Sequence, residues 1–272
     1  MKIDGRAIAA AMLAEVASEV KFIGRPLTLR AVVSEPSPAT ESYLRIKSDR
    51  AKDAGITLEI ATIRDGAATE DLVRAVAAPG ADGVIVQLPV PAGVDSEEVL
   101  NAIPLALDAD VLSATAYERF ARGEPGALLP PVVGAVAEIL HRAGAAVAGK
   151  RAVVVGSGRL VGQPAALWLA AQGAHVATIT RETGDLSMLK EADIVVAGAG
   201  SAHLIRPEHL APGVVLIDAG TSESGGTLAG DADPACADIA SVFTPVPGGV
   251  GPVAVAYLMK NVAELARLRT SA

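Results

Sequence analysis

The sequence is poor in cysteine and in aromatic residues. Its single cysteine, Cys236, cannot form an intramolecular disulfide, and a metal cage built from cysteines is excluded. We expect Cys236 to be a small packing residue in a turn after Pro234 rather than a nucleophile. Phe, Trp and Tyr supply only 3% of the 272 residues, whereas the hydrophobic class as a whole supplies 51%. The core is therefore expected to consist of Ala, Val, Leu and Ile, which suits buried parallel strands covered by helices.

A long uncharged hydrophobic run is also missing. No stretch of about 18 apolar residues without a charge occurs, so no membrane span is predicted. The N-terminal segment MKIDGRAIAAAMLAEV is interrupted by Glu15 and repeats at helical spacing, which is unlike a signal peptide, and we expect a cytoplasmic protein. The formal net charge of −8 argues against nucleic acid or an anionic membrane as a partner, because their phosphates would be repelled.

Hydrophobic periodicity predicts helices and strands that alternate along the chain. One helix has a clear start, with Ser37 as N-cap and Pro38 at the first helical position, and it stops before Gly55. The alternation indicates an α/β fold with parallel sheets and right-handed crossovers, and a domain boundary is expected within 122–150. Helices are predicted at 6–21, 38–53, 69–77, 96–102, 114–121, 131–144, 161–171 and 252–269. Strands are predicted at 27–33, 56–63, 84–88, 151–155, 175–180, 193–197 and 214–217.

A glycine-rich turn follows the predicted strand 151–155 and precedes a predicted helix. It reads Gly156-Ser157-Gly158-Arg159-Leu160-Val161-Gly162, a variant of the dinucleotide-binding fingerprint. In that fingerprint the first glycine permits a tight turn, the second lets the backbone approach a pyrophosphate, and the third allows close helix–strand packing. The strand and helix on either side favour a nucleotide site, and a turn that merely needs positive φ is the alternative.

The end of the next strand, Ile179-Thr180-Arg181-Glu182, bears on the choice of cofactor. An acid at this point binds the ribose hydroxyls of NAD, whereas an arginine accommodates the 2′-phosphate of NADP. Arg181 therefore favours NADP, although Glu182 could bear on the same ribose and NAD stays possible. A solvated loop cation is the alternative interpretation of Arg181.

Several polar residues in the first half of the chain stand out weakly when taken singly. Tyr43 and Lys47 are four residues apart on a predicted helix and so share a face. Gln87 lies in an apolar strand, where a buried amide needs partners. Asp108 and Asp110 follow in a loop. Each of these also has a purely structural interpretation.

Taken together, these residues fall in motifs that resemble one family, the bifunctional methylenetetrahydrofolate dehydrogenase/cyclohydrolases. The matching segments are in order and run from about residue 4 to residue 268. The most specific are GVIVQLPVP at 83–91, which looks like the family's GILVQLPLP, and TPVPGGVGP at 244–252, which is identical to its closing loop. Further similar segments are SPATESYLRIK at 37–47, VVVGSGRLVGQP at 153–164, IDAGTS at 217–222 and GDAD at 230–233.

The resemblance implies a two-domain α/β architecture. It comprises an N-terminal α/β substrate domain and a Rossmann-like dinucleotide-binding domain, with the C-terminal helix packing back on the first domain. The implied boundaries are 1–130 for the folate-binding catalytic domain, completed by helix 252–272, and 131–251 for the NAD(P)-binding domain. It also implies a homodimer and no metal.

The resemblance further implies roles for individual residues. Lys47 is the cyclohydrolase catalyst, Gln87 orients it, and Asp110 grips the pterin. The substrate side would be lined by Tyr43, which stacks on the aminobenzoate ring, and by Val86, Leu88, Pro247, Gly248, Gly249, Val250 and Gly251. NADP would be bound by Gly156, Ser157, Gly158, Arg159, Gly162, Arg181 and Thr221.

The implied reaction has two steps. A hydride passes from 5,10-methylenetetrahydrofolate to NADP⁺, which needs alignment rather than an acid or a base. Water then opens the methenyl cation to 10-formyltetrahydrofolate, a one-carbon donor of purine biosynthesis, and this step needs proton management. Partial burial of Lys47 beside Gln87, rather than beside a carboxylate, would lower the pKa of the amine as such a step requires.

The sequence departs from the family pattern in three places. The family's K-D-V-D-G loop reads Leu107-Asp108-Ala109-Asp110-Val111, its P-C-T-P-x-G stretch reads LPPVVG at 129–134, and its G-R-S turn reads Gly156-Ser157-Gly158. The missing arginine usually helps to hold the 2′-phosphate, and Arg159 or Arg181 could replace it. Three alternatives stay open: a dehydrogenase for another pterin carrier, a degenerate paralogue that binds without turnover, and an unrelated nucleotide-binding α/β protein.

Overall fold

The computed structural model describes residues 1–34, 38–64, 66–224 and 227–270. Helices and strands alternate along most of the chain, as the periodicity predicts. The α-helices are α1 (Gly5–Ile23), α2 (Pro38–Asp53), α3 (Thr69–Ala77), α4 (Ser96–Asn101), α5 (Ala114–Ala121), α6 (Pro131–Arg142), α7 (Gly162–Ala171) and α8 (Val250–Thr270). The strands are β1 (Leu27–Ser34), β2 (Ile56–Ile63), β3 (Gly83–Val86), β4 (Arg151–Val155), β5 (His175–Ile179), β6 (Ile194–Ala197), β7 (Val215–Asp218), β8 (Ser222–Ser224), β9 (Thr227–Ala229) and β10 (Val242–Phe243).

The chain divides into two compact units, and each is discontinuous in the sequence. The five-stranded unit comprises Met1–Ala9 and Val132–Ala254. The three-stranded unit comprises Ala10–Pro131 and Val255–Ala272. Helices α1 and α8 therefore each begin in the five-stranded unit and continue in the three-stranded unit.

The three-stranded unit is built on a parallel sheet with the strand order β2-β1-β3. In the centre, Leu29 of β1 is in register with Leu58 of β2 and with Gly83 of β3. Strand β1 is buried along most of its length, as expected for a central parallel strand covered on both faces. One face packs on a cluster that includes Leu72 and Val76 of α3. This core holds the carboxyl ends of β1 and β3 side by side.

Helix α8, from Val255 onward, packs in the three-stranded unit, as the sequence predicts. A Cβ on Gly83 would lie 2.8 Å from Val262 Cγ2, so the absence of a side chain at the start of β3 permits close packing of the helix. The last turn is fixed by Arg269, which donates to Asp82 Oδ1 at 2.6 Å and to the Ala106 carbonyl at 2.7 Å. Asp82 also accepts from Arg25 at 2.7 Å.

The five-stranded unit contains a parallel sheet with the strand order β10-β7-β6-β4-β5. After β4 the chain passes to β5 at one edge, and it then returns to the other side of β4 to form β6. This doubly wound order places a topological switch point between β4 and β6, where the loops at the carboxyl ends diverge and leave a crevice for ligands. Strand β10 and the short antiparallel β8–β9 hairpin were not predicted.

The first residues of the chain extend the β10 edge of this sheet. The Ile3 amide donates to the Phe243 carbonyl at 2.9 Å, and the Phe243 amide donates to the Met1 carbonyl at 2.9 Å. Gly5 follows, and a Cβ at this position would overlap the Gly249 carbonyl oxygen. The N-terminal segment is thus packed against the loop that precedes α8.

Some local expectations need adjustment. Strand β3 ends at Val86, so Gln87 follows the strand rather than lying within it. The chain begins α2 at Pro38, whereas the proposed N-cap, Ser37, lies outside the described residues. Cys236 is fully buried, and desolvation raises the pKa of its thiol to about 11. None of the described helices is long and apolar enough to cross a bilayer.

Candidate functional site

The polar residues of the three-stranded unit meet at the carboxyl edge of its sheet. Helix α2 is the first helix after β1, and Gln87 directly follows β3. Because β1 and β3 are neighbours in the order β2-β1-β3, their carboxyl ends define the switch point of this sheet. There Lys47 Nζ donates a hydrogen bond to Gln87 Oε1 at 3.2 Å. The structure thus joins two residues that are 40 positions apart in the sequence.

Gln87 is held from both its backbone and its side chain. Its amide donates to the Val32 carbonyl of β1 at 2.9 Å, and its Nε2 donates to the Leu88 carbonyl at 3.3 Å. Since the side-chain nitrogen is bound to Leu88, the oxygen is directed to Lys47. Val86 is only 5% exposed and its side chain lies in the core, so only its backbone is available at the sheet edge. Leu88 is half-buried against the same core.

Asp110 lies close enough to Lys47 for each charge to affect the other group. Desolvation lowers the pKa of Lys47 below its usual value, and the Asp110 charge partly opposes this. Desolvation likewise raises the pKa of Asp110 to about 6, against the effect of Lys47 and with a further increase from Asp108. A carboxylate therefore does act on Lys47, contrary to the sequence-based expectation, although burial still decides the direction of the pKa shift.

The loop that carries Asp110 contains a left-handed residue that is not glycine. Val111 stands where the resembling family has glycine, and it adopts φ of +56°, a conformation that glycine favours. Its side chain is only 4% exposed, so burial helps to offset the strain. The buried Asp108 carboxylate accepts from the amides of Leu112 at 2.9 Å and Ser113 at 2.8 Å. These bonds fix the loop around Asp110.

Asn261 of α8 supports the same loop and was not predicted. It is 2% exposed, and its Nδ2 donates to the carbonyls of Ala109 at 2.9 Å and Leu129 at 3.0 Å. The sequence signal for such a buried amide is its helical spacing from Leu258 and Leu265, which are buried on the same face of α8. Tyr43 lies one turn before Lys47 on α2 and is 42% exposed, so its ring is available for stacking.

In the five-stranded unit the predicted dinucleotide turn has the expected geometry. Gly156 has φ of +107°, and a Cβ there would lie 2.5 Å from the Gly198 carbonyl oxygen. A Cβ on Gly162 would overlap the Gly156 carbonyl, so the start of α7 packs directly on the turn. Gly158 and Ser157 are exposed, and nothing lies within 4 Å of a Cβ built at Gly158. The turn therefore leaves room for a diphosphate at the amino end of α7.

The residues proposed to choose the cofactor follow β4, β5 and β7 at the carboxyl edge of the five-stranded sheet. Arg181 is exposed directly after β5, and no ion pair links it to another described side chain. Glu182 Oε2 accepts from Thr180 Oγ1 at 3.0 Å, which ties the acid to its own loop. Arg159 is half-buried in the turn itself, and Thr221 is exposed after β7.

The segment 244–251 is compact and tied to its own unit. Thr244 Oγ1 accepts from the Asp218 amide at 2.6 Å, and the Gly5 amide donates to the Gly248 carbonyl at 3.0 Å. Helix α8 begins at Val250, two residues earlier than predicted, so Val250 and Gly251 form its first turn rather than a loop. Pro247 is exposed. Across the described parts of the chain, no group of three or more His, Cys, Asp or Glu side chains is arranged to hold a metal ion.

A doubly wound parallel sheet with a glycine turn after β4, beside its switch point, defines the class of this protein as a nucleotide-binding α/β protein with a second parallel-sheet unit. Comparison with known proteins then gives the family. The tetrahydrofolate dehydrogenase/cyclohydrolase catalytic domain matches residues 3–110, and the NAD(P)-binding domain of the same enzymes matches residues 130–270. The chain belongs to the tetrahydrofolate dehydrogenase/cyclohydrolase family.

Individual relatives agree along the whole chain. The bifunctional protein FolD of Lacticaseibacillus casei is 37% identical over 280 residues, which cover 99% of each chain. The crystal structure of the bifunctional methylenetetrahydrofolate dehydrogenase/cyclohydrolase FolD from Campylobacter jejuni is 27% identical, with a TM-score of 0.95 over 99% of each chain. That of Trypanosoma brucei FolD, complexed with NADP cofactor and inhibitor, is 31% identical, with a TM-score of 0.92 over 100% of this chain and 99% of that one.

Proposed function

We propose that this chain oxidises 5,10-methylenetetrahydrofolate with NADP⁺ and then hydrolyses the 5,10-methenyl product to 10-formyltetrahydrofolate. The observation that carries the proposal is the 3.2 Å hydrogen bond between Lys47 and Gln87 beside Asp110, in the unit that contains most of the matched catalytic domain. Residues 1–130 with helix 252–272 would bind folate, and residues 131–251 would bind the nucleotide.

Lys47 is assigned to the hydrolytic step. Water attacks the one-carbon bridge of the methenyl cation and loses its first proton. The hydroxyl of this adduct then loses its proton and becomes the formyl oxygen as the bond from the carbon to N5 breaks and N5 gains a proton, so that one proton is released overall. An amine with a lowered pKa is unprotonated more often than an ordinary lysine, so Lys47 can accept the first proton and deliver one to N5. Gln87 keeps the amine directed and adds no charge, whereas Asp110 limits the fall in its pKa.

The folate would be held by groups around Lys47. The exposed ring of Tyr43 is suited to stack on the aminobenzoate, and Asp110 is suited to accept hydrogen bonds from the pterin. Leu88 and the backbone of Val86 would complete the lining within this unit.

The nucleotide is assigned to the crevice after β4. The turn Gly156–Gly162 fits a diphosphate because Gly156 takes positive φ, Gly158 leaves space, and α7 begins at Gly162. When bound, NADP⁺ accepts the hydride from the methylene carbon. Ser157, Arg159 and Thr221 would line the same crevice.

Arg181 is assigned to the 2′-phosphate that distinguishes NADP from NAD. Its exposure and lack of a described ion pair leave its guanidinium available, whereas Glu182 is bonded to Thr180. The NADP in the related Trypanosoma brucei structure supports this choice.

A homodimer is proposed through β5. This strand is an edge of the five-stranded sheet, and no other described strand pairs with its outer side. Unpaired edge strands are usually covered, and a second copy in antiparallel orientation would cover this one symmetrically. Light scattering on the purified chain tests this, and a monomeric mass would contradict it. The cytoplasmic location and a role in purine biosynthesis stay predictions.

The proposed function is tested by a spectrophotometric assay with 5,10-methylenetetrahydrofolate and either NADP⁺ or NAD⁺. Reduced cofactor is followed directly, and methenyltetrahydrofolate is measured after an acid quench. Turnover with NADP⁺ supports the proposal. Folded protein that binds folate without turnover would favour a degenerate paralogue, and turnover only with another pterin would favour a different one-carbon carrier.

Lys47→Met separates the two activities. It should abolish cyclohydrolase turnover at saturating substrate, because no other described amine is bonded to Gln87. Lys52→Met on the same helix is the control, since its side chain is 73% exposed and its amine lies 4.0 Å from Asp49 Oδ1. Full cyclohydrolase activity in Lys47→Met would overturn the assignment of Lys47.

A further inference from the structure

Two buried carboxylates lie at the carboxyl edge of the five-stranded sheet, and neither has a role in the proposed reaction. Asp218 ends β7 and is 1% exposed, and Asp231 is fully buried. Within the described ranges, neither forms an ion pair with a lysine, arginine or histidine. A buried charge without a counter-charge is costly, so other groups must stabilise these two.

Backbone amides provide that stabilisation. Asp231 accepts from three successive residues after β6, namely from Ala199 at 2.5 Å, Gly200 at 3.3 Å and Ser201 at 2.7 Å. Asp218 accepts from Gly220 at 3.0 Å, from the Asp231 amide at 3.2 Å and from Ala232 at 2.8 Å. Asp218 thus fixes the backbone of Asp231, and the side chain of Asp231 fixes residues 199–201.

Residues 198–201 form one wall of the switch point. They follow β6, the neighbour of β4, and the Gly198 amide donates to the Val155 carbonyl at 2.8 Å. A Cβ on Gly156 would lie 3.0 Å from Ala199 Cα, so the wall is in direct contact with the dinucleotide turn. A shift of this wall would therefore change the shape of the crevice in which the nucleotide is proposed to lie.

Left-handed conformations occur within the wall and two residues after it, and only the second of them is strained. Gly200 has φ of +66°, and His203, which is not a glycine, has φ of +54°. Such conformations persist when surrounding bonds determine them. Those bonds come from the Asp231 segment, because the His203 amide donates to Gly230 at 3.0 Å and the Ile205 amide donates to the Asp231 carbonyl at 2.9 Å.

We infer that Asp231 is a positioning residue for the nucleotide cofactor, because its carboxylate holds residues 199–201 in the shape that flanks the Gly156 turn. Asp218 acts one step further away, through the backbone of Asp231. Neither carboxylate touches the cofactor, and their charge is taken up by six backbone amides rather than directed at the diphosphate. The inference rests on the proposed function, since it assumes that NADP occupies this crevice.

The test is the dissociation constant of NADP for Asp231→Asn, with cyclohydrolase activity as an internal reference. An asparagine has one acceptor oxygen where the carboxylate has two, so in either orientation its NH2 group faces at least one backbone amide of residues 199–201 and the wall should move. We expect the dissociation constant and the KM for NADP to rise by roughly 10- to 100-fold, the range for loss of charge-assisted hydrogen bonds. Cyclohydrolase turnover should stay within about twofold of the parent value, because Lys47 and Gln87 lie in the other unit.

Asp193→Asn is the matched control. The Asp193 carboxylate also accepts a backbone amide, from Arg151 at 2.8 Å, but at the amino end of the same sheet. This variant should lose stability without losing NADP affinity. If Asp231→Asn keeps NADP affinity within twofold, or if Asp193→Asn loses as much affinity, Asp231 is merely structural and the inference is wrong.

A second variant covers the case in which Asp231→Asn does not fold. Gly220→Ala retains both carboxylates, but its Cβ would overlap the Asp231 carboxylate and push it away from residues 199–201. It should also weaken NADP binding, and unchanged binding would contradict the inference. If the parent protein does not bind NADP, the proposed function is wrong. The inference about Asp231 is wrong if the parent binds NADP and the variants bind it equally tightly.

Discussion

Gln87 Oε1 accepts the Lys47 ammonium hydrogen bond at 3.2 Å, while Gln87 Nε2 is bound to the Leu88 carbonyl at 3.3 Å. The amide thus directs a neutral acceptor to the lysine. Gln87→Glu replaces that acceptor with a carboxylate of the same shape. Because an opposite charge favours the protonated amine, the pKa of Lys47 should rise, and the ascending limb of cyclohydrolase activity against pH should move up by roughly 1 to 3 pH units.

The control for this change is Gln172→Glu, which alters an exposed glutamine at the end of α7 in the other unit. Its cyclohydrolase pH profile should match that of the parent. If the ascending limb of cyclohydrolase activity against pH is the same in Gln87→Glu as in the parent, the group that titrates in this limb is not Lys47.

Asp110→Asn should move the same limb in the opposite direction. The Asp110 charge raises the pKa of Lys47, so its removal leaves desolvation unopposed and lowers the pKa further. The limb should shift to lower pH, and the maximal rate should fall if Asp110 also grips the pterin. Asp49→Asn, on an exposed part of α2, is the comparison. A shift to higher pH in Asp110→Asn would contradict the electrostatic coupling of the two groups.

Arg181→Ser should reduce the preference for NADP. Loss of a charge-assisted contact to the 2′-phosphate should raise the KM for NADP by about tenfold, while the KM for NAD stays within about twofold. Steady-state kinetics with both cofactors measure this, with the exposed Arg206→Ser as control. Equal changes for NADP and NAD would place the 2′-phosphate elsewhere, and Arg159 would be the next candidate.

Asp218 should make a distinctive contribution to the pH dependence of stability. Burial raises its pKa from 3.8 to about 6 in the folded protein. A raised pKa means that the folded state binds the proton more tightly than the unfolded state does. The resulting contribution of Asp218 to the free energy of unfolding is therefore full below pH 4 and is lost as the pH rises to 6. The free energy of unfolding of the parent, relative to Asp218→Asn, should fall by about 3 kcal/mol across that window.

Denaturant titrations at several pH values measure this difference. The exposed Asp238→Asn should show no such slope relative to the parent. A difference between the parent and Asp218→Asn that is constant from pH 4 to pH 6 would show that the Asp218 pKa is ordinary.

Much of the fold was predictable because its cues are local. The strand Ile56–Ile63 and the helix Thr69–Ala77 were predicted with the observed bounds, and Gly55 separates α2 from β2 with φ of +72°. The motif around Gln87 and the glycine turn at Gly156 also indicated where the two sheets place their polar residues. Each of these signals lies within a few residues of the feature that it predicts.

The parts that were not predicted depend on contacts between distant segments. The bonds from Asp231 to residues 199–201 join positions about 30 residues apart, and Asn261 reaches back more than 100 residues to Ala109 and Leu129. Neither has a periodic signature. Val111 was recognised as a departure from glycine, but only the backbone shows that it adopts a left-handed conformation.

The discontinuity of the two units has a consequence for synthesis. A growing chain makes Met1–Ala9 long before Phe243 and Gly248, so these residues find their partners only after more than 200 intervening residues have left the ribosome. The segment Ala10–Pro131 must likewise wait for the end of α8, where Arg269 reaches Asp82. Neither unit can therefore complete its fold before α8 has been made, and a premature stop codon ahead of α8 would leave the three-stranded unit without its closing helix.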